Sequence, residues 1–142
     1  QSGDLEEFFR LTIETFRIAF VPQDIARCYR NLGYYFLQAQ KYGEALACIV
    51  MSTNFDPDNK QAQQLLYFIQ ETGGREVPEP SYEALEAYGR QYGFPVGASQ
   101  EVLSLSYTYA KQYEEMGNRE GMKYFYTILY NLTGDEEIKA IL

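Results

Sequence analysis

The chain has 142 residues, nearly half of them apolar, with 20 acidic against 12 basic side chains and a formal net charge of -8. This length fits one domain with a core that needs neither disulfides nor metal, and the acidity speaks against nucleic acid and anionic membranes as partners. With no histidine and only two cysteines, the commonest general base, the commonest zinc ligand and a disulfide framework are all missing.

Helix signals run the length of the chain, and no strand pattern interrupts them. Asp4 predicts the N-cap of a first helix over residues 4–20, with Leu5, Phe8, Phe9, Ile13, Phe16 and Phe20 apolar. Val21-Pro22-Gln23-Asp24 ends it and opens a second helix that reaches residue 39. Gln40-Lys41-Tyr42 predicts a tight turn. The partner helix carries Ala45, Ile49 and Met51 until Asp56-Pro57-Asp58-Asn59 stops it, because a proline disfavours helix at the residue before it.

Residues 61–72 predict another helix, ended by Gly73-Gly74. Val77-Pro78-Glu79-Pro80 then reads as a rigid connector. Ser81 caps a shorter helix over residues 82–92, closed by Gly93-Phe94-Pro95. Further helices flank Gly117-Asn118-Arg119, and residues 136–142 give a last short one. No apolar run approaches the roughly 20 residues of a membrane-spanning helix, and no leader is evident. The start at Gln1 rather than Met reads as a piece of a longer polypeptide, with Gln1-Ser2-Gly3 set aside as a tag remnant.

Spacing of large and small residues carries the organisation. Gly33 and Ala45 leave gaps where two antiparallel helices can approach, and Tyr29, Leu32, Phe36 and Ile49 are sized to fill the adjoining space. A leucine at either small position is expected to overpack the crossing. In order, Tyr29-x2-Leu32-Gly33-x2-Phe36, then Ala45-x3-Ile49, then Pro57 occupy residues 26–59. This resembles the tetratricopeptide repeat, matching its W-x2-L-G-x2-Y, A-x3-F and P positions with Tyr for Trp, Phe for Tyr and Ile for Phe.

A second match appears when Gly117-Asn118-Arg119 is aligned with Gln40-Lys41-Tyr42. Tyr109-Ala110 then falls on Leu32-Gly33, Tyr113 on Phe36, Met122 on Ala45 and Tyr126 on Ile49. The bulk of Met122 predicts a wider crossing there. Residues 60–97 keep little of the signature.

The resemblance implies an all-α fold of antiparallel helix-hairpin repeats, stacked as a short right-handed superhelix, or α-solenoid. It implies a single domain: an N-terminal helix over 4–20, repeat 1 over 26–59, a degenerate repeat 2 over 60–97, repeat 3 over 103–136 and a capping helix over 136–142. In that family the first helix of each pair lines a concave groove that holds peptides or partner helices. Carried over by position, the groove residues are Arg27, Arg30, Asn31, Tyr34, Gln38, Gln64, Phe68, Tyr107 and Lys111. Tyr34, Phe68 and Tyr107 would be aromatic anchors, and Arg27, Arg30 and Lys111 would orient an acidic segment. Tyr34 stands where the family's carboxylate clamp has an asparagine, so that clamp is not reproduced. Equally, these cations can simply solvate a helix face.

Other motifs carry less. Glu114-Glu115 and Asp135-Glu136-Glu137 read as solubilising helix residues rather than a glycosidase pair. Asp56-x-Asp58-Asn59 lacks the glycine and distal glutamate of a calcium loop. Residues 117–121 lack the lysine and hydroxyl of a phosphate loop. Asn131-Leu132-Thr133 is a glycosylation sequon by letter. Cys28 and Cys48 fall on the two helices of one hairpin and are expected as buried, reduced thiols, which suits a reducing, cytoplasmic interior.

The expectation is a non-catalytic protein- or peptide-binding scaffold with no cofactor and no metal. Its partner would be a protein or peptide, an acidic segment among the candidates, or a second copy of the chain. The alternative is a structural or oligomerisation segment of a larger protein, suggested by the aromatic first helix.

Overall fold

A computed structural model describes residues 2–19, 21–73, 81–96 and 99–142. Among these residues the chain is all-helical with no strand. Its helices are α1 (Ser2–Ile18), α2 (Pro22–Gln38), α3 (Tyr42–Phe55), α4 (Lys60–Gly73), α5 (Tyr82–Tyr92), α6 (Gln100–Glu115), α7 (Arg119–Thr133) and α8 (Glu136–Ile141). The connector expected at Val77–Pro80, together with Gln1, Phe20 and Gly74, lies outside the described residues. Asp4 is not the cap of α1. The helix begins at Ser2, so Ser2 and Gly3 are part of it, and Asp4 sits in the first turn, where its carboxylate favours the positive end of the dipole.

Pro22 is pre-set for the first turn of α2, which buries Ile25, Tyr29, Leu32, Gly33 and Phe36 along one face. Gln40 takes a left-handed φ of 60°. The Lys41 N–H donates to the Phe36 carbonyl at 2.8 Å and the Gln40 N–H to the Leu37 carbonyl at 3.0 Å. This pair of bonds is the Schellman closure that reverses a chain after a helix. The helices then meet through the expected notch. A Cβ on Gly33 would lie 2.4 Å from Ile49 Cδ1, and Ala45 is completely buried. Ser52 Oγ donates to the Ala26 carbonyl at 2.7 Å and ties the two helices where both are buried.

The α6–α7 turn repeats this closure bond for bond. The Asn118 N–H donates to the Tyr113 carbonyl at 2.9 Å, the Gly117 N–H to the Glu114 carbonyl at 3.1 Å, and Gly117 has φ 74°. Asn118 also caps α7, its side chain accepting from the Gly121 N–H at 3.0 Å. The notch, however, has moved. A Cβ on Gly121 would come within 2.6 Å of the Tyr113 ring, so on the second helix the small residue stands one position before Met122, while Ala110, at the place of Gly33, is completely buried. Met122 is half-buried at the edge of the local core.

Around the first hairpin, α1 packs on α2, while α4 packs on α3 and touches α2. The end of α5 fills the space over α2 between α1 and α3. Tyr92 meets Phe36 at 4.8 Å and Phe9 at 6.3 Å between ring centroids, Phe94 meets Tyr29 at 6.5 Å, and the Tyr29 hydroxyl donates to the Pro95 carbonyl at 3.1 Å. Among the described residues, α4 and α5, expected as the two halves of a middle repeat, share no extensive interface, and each packs on α3. The second hairpin docks through α7 on α3, where the Tyr124 hydroxyl donates to Asp56 Oδ1 at 2.7 Å, and α8 closes onto α7.

Candidate functional site

The outer face of α2 carries Arg27, Arg30, Asn31, Tyr34 and Gln38, spaced so that they form one stripe opposite the buried Tyr29–Phe36 face. Helix α4 runs beside it, since Asn59 Oδ1 accepts from the Ala62 N–H at 2.9 Å and starts α4 directly after the Pro57 turn. Ala62 and Ile69 anchor α4 in the core. A groove of about 360 Å³ lies between the two helices, lined by Arg30, Asn31, Tyr34, Gln61, Gln64 and Leu65.

Four residues expected from the sequence therefore converge on one surface: Arg30, Asn31, Tyr34 and Gln64. Phe68 lies one turn beyond Gln64 on α4 and is 46% exposed. Arg27 is held by Asp24 one turn earlier, at 2.5 Å. Gln38 is exposed at the last turn of α2. Tyr107 and Lys111 sit on α6, which packs chiefly on α7, and they engage each other. The Lys111 ammonium lies 5.6 Å from the Tyr107 ring centroid and 3.4 Å from Glu114. The nearby Tyr126 phenol, with Glu114 and Tyr107, holds the Lys111 ammonium above its usual value.

Two groove residues escaped the sequence reading. Gln61 and Leu65 lie one turn before and one position after Gln64, and their helical spacing could have shown them. Phe8 also matters, because its ring meets Tyr34 edge-on at 6.1 Å and braces that side chain from α1. Among the described residues no acidic side chain lines the groove and Arg30 makes no ion pair. In a chain of net charge -8 this is a local reversal, and it favours a negatively charged guest.

Both thiols are buried and free. Burial pushes Cys28 up to about 11 and Cys48 further still. Among the described residues no three metal-ligating side chains come together, and no helix is long and apolar enough to cross a membrane. Comparison of the chain with protein-family models, with curated proteins and with solved structures finds no match to any of them.

Proposed function

We propose that this chain is a non-catalytic scaffold of tetratricopeptide type, and that it holds an acidic peptide or protein segment in the groove between α2 and α4. The repeat reading draws support from two hairpins that share one turn geometry and from the Gly33–Ala45 notch. It is also supported by α4 resting against both helices of the pair before it, as a next repeat would in a stacked superhelix.

The binding reading rests on a single observation. Among the described residues, an arginine without an ion partner and an exposed tyrosine line a groove free of carboxylates, in an acidic protein. Arg30 supplies a planar cation suited to carboxylates. Tyr34, 44% exposed, supplies an aromatic surface braced by Phe8 at little ordering cost.

Selection from a random peptide display library tests this. The enriched peptides are expected to be acidic, and joint Arg30→Ala and Tyr34→Ala replacement is expected to weaken them about tenfold or more, with the melting temperature nearly unchanged. Enrichment of no sequence, or affinities indifferent to the double replacement, sinks the proposal. Joint Tyr107→Ala and Lys111→Ala replacement asks separately whether α6 adds to the same surface.

One observation favours the oligomerisation reading as a second possibility. Leu11 and Ile18 on the outer side of α1 are 48% and 77% exposed, two turns apart on one stripe. Light scattering across the micromolar range would show self-association if that stripe pairs copies, and a strict monomer removes the reading.

A further inference from the structure

An open cavity of about 460 Å³ lies where the two hairpins meet, bordered by residues of α3, α5, α6 and α7. Val50, Met51, Leu85, Leu103 and Leu132 form its apolar walls. Every described residue that lines it is uncharged, although the chain carries 20 acidic and 12 basic side chains. Such walls accept a neutral guest and penalise an ion, which would lose its hydration with no partner to replace it.

Two carboxamides, with the side chains of Ser81 and Tyr82, give the cavity its polarity. Asn131 Nδ2 donates to the Asn54 carbonyl at 3.4 Å, and Asn54 Nδ2 points at Met51 Sδ at 3.8 Å. Both N–H sides are thereby turned onto the protein. Among the described residues neither carboxamide oxygen accepts a hydrogen bond, so each keeps its acceptor capacity for a donor brought from outside.

We propose that this cavity binds a neutral, largely apolar small molecule that carries a hydrogen-bond donor. Its volume falls within the usual range of small-molecule sites, which combine apolar walls with a few polar groups that fix orientation. The guest would contact α3 and α5 on one side and α6 and α7 on the other. It therefore holds the two hairpins in one arrangement and stabilises the folded chain. None of the residues lining this cavity lines the α2–α4 groove, so the two sites succeed or fail independently.

N-phenyl-1-naphthylamine is a suitable probe, being uncharged, apolar and equipped with one N–H. Its fluorescence is expected to rise to saturation at one probe per chain. The melting temperature should rise by about 2 to 4 °C when the free probe is at a few times its dissociation constant. Val50→Phe fills the cavity from a half-buried position and is expected to weaken the probe about tenfold while the free protein keeps its melting temperature. Leu103→Trp fills it from another helix and serves the same purpose should Val50→Phe not fold. Asn131→Leu removes an acceptor and is expected to weaken the probe by a smaller factor. Tyr34→Ala, in the other groove, leaves probe binding unchanged. Absence of saturable binding, survival of binding in a folded cavity-filling variant, or its loss in Tyr34→Ala overturns the proposal.

Discussion

The α2–α3 and α6–α7 hairpins share one turn yet differ in what surrounds them. In both, a left-handed residue follows the first helix, and the same pair of backbone bonds closes the reversal. Around the first hairpin stand α1, α4 and the end of α5, so Phe36 and Ile49 are completely buried. Among the described residues α3 and α8 pack on the second through α7, and Val102 at the start of α6 reaches into the first core. Tyr113, the counterpart of Phe36, is half-buried, and Tyr107 on α6 is 49% exposed. Turn geometry is thus a local property that recurs with the local sequence. Burial is conferred by neighbours, and the two hairpins do not have the same neighbours.

The largest expected effect breaks the comparison at this aromatic pair. Phe36→Ala removes a ring enclosed by Phe9, Tyr92 and Phe94 and should cost about 3–5 kcal/mol. Tyr113→Ala, whose ring stacks on Phe125 with one side wet, should cost roughly 1–2 kcal/mol. Urea denaturation measures both, and equal losses would mean that the two hairpins are equally enclosed.

Next come the notches. Gly121→Ala drives a Cβ into the base of the Tyr113 ring, which is pinned against Phe125, at a cost of about 1–3 kcal/mol. Gly33→Ala meets Cδ1 and Cγ1 of the buried Ile49, with the Ala45 carbonyl oxygen at 3.4 Å. Alanine's advantage over glycine in a helix, about 1 kcal/mol, should offset part of the cost there. If Gly121→Ala proves neutral in urea melts, the second hairpin does not make its close approach at Gly121.

A smaller effect separates the two turn residues. Gln40 bears a side chain at φ 60°, where Gly117 bears none at φ 74°. Gln40→Gly should stabilise by up to about 1 kcal/mol, and Gly117→Gln should destabilise by a similar amount. Thermal melts that move in the same direction for both would contradict the shared left-handed geometry.

The smallest contrast appears only in alkali. Cys28 and Cys48 belong to the first hairpin, and burial raises both thiols above their ordinary value of 9.0, Cys28 to about 11. The folded state then holds protons that the unfolded state releases, so this contribution is complete below pH 9.0 and is lost as the pH climbs toward 11. Stability should be flat through neutrality and fall above about pH 9. Cys28→Ala should soften the fall. Tyr124, raised by burial and by Asp56, should keep part of it. An unchanged slope in Cys28→Ala would show that the thiol is not responsible.

Much of this was legible in advance. The Ser81 cap, the stop at Gly93, the Pro57 turn and the buried pair Gly33 and Ala45 all stand where the letters placed them. Arg30, Asn31, Tyr34 and Gln64 follow from helical spacing once α2 and α4 are known to be neighbours. Position by position the second hairpin matches the first at its turn and at Ala110, but Gly121 rather than Met122 faces Tyr113.

What the amino-acid order determined by itself was the helices, their caps and the two reversals. Those depend on hydrogen bonds and steric limits reaching no more than about five residues along the chain. Tertiary structure alone decided that α5 leaves α4 and inserts Tyr92 and Phe94 over α2. It also decided that Asn54 and Asn131 come to line one cavity. Apolar surface buries wherever a complementary surface is near, and that force carries no direction along the sequence.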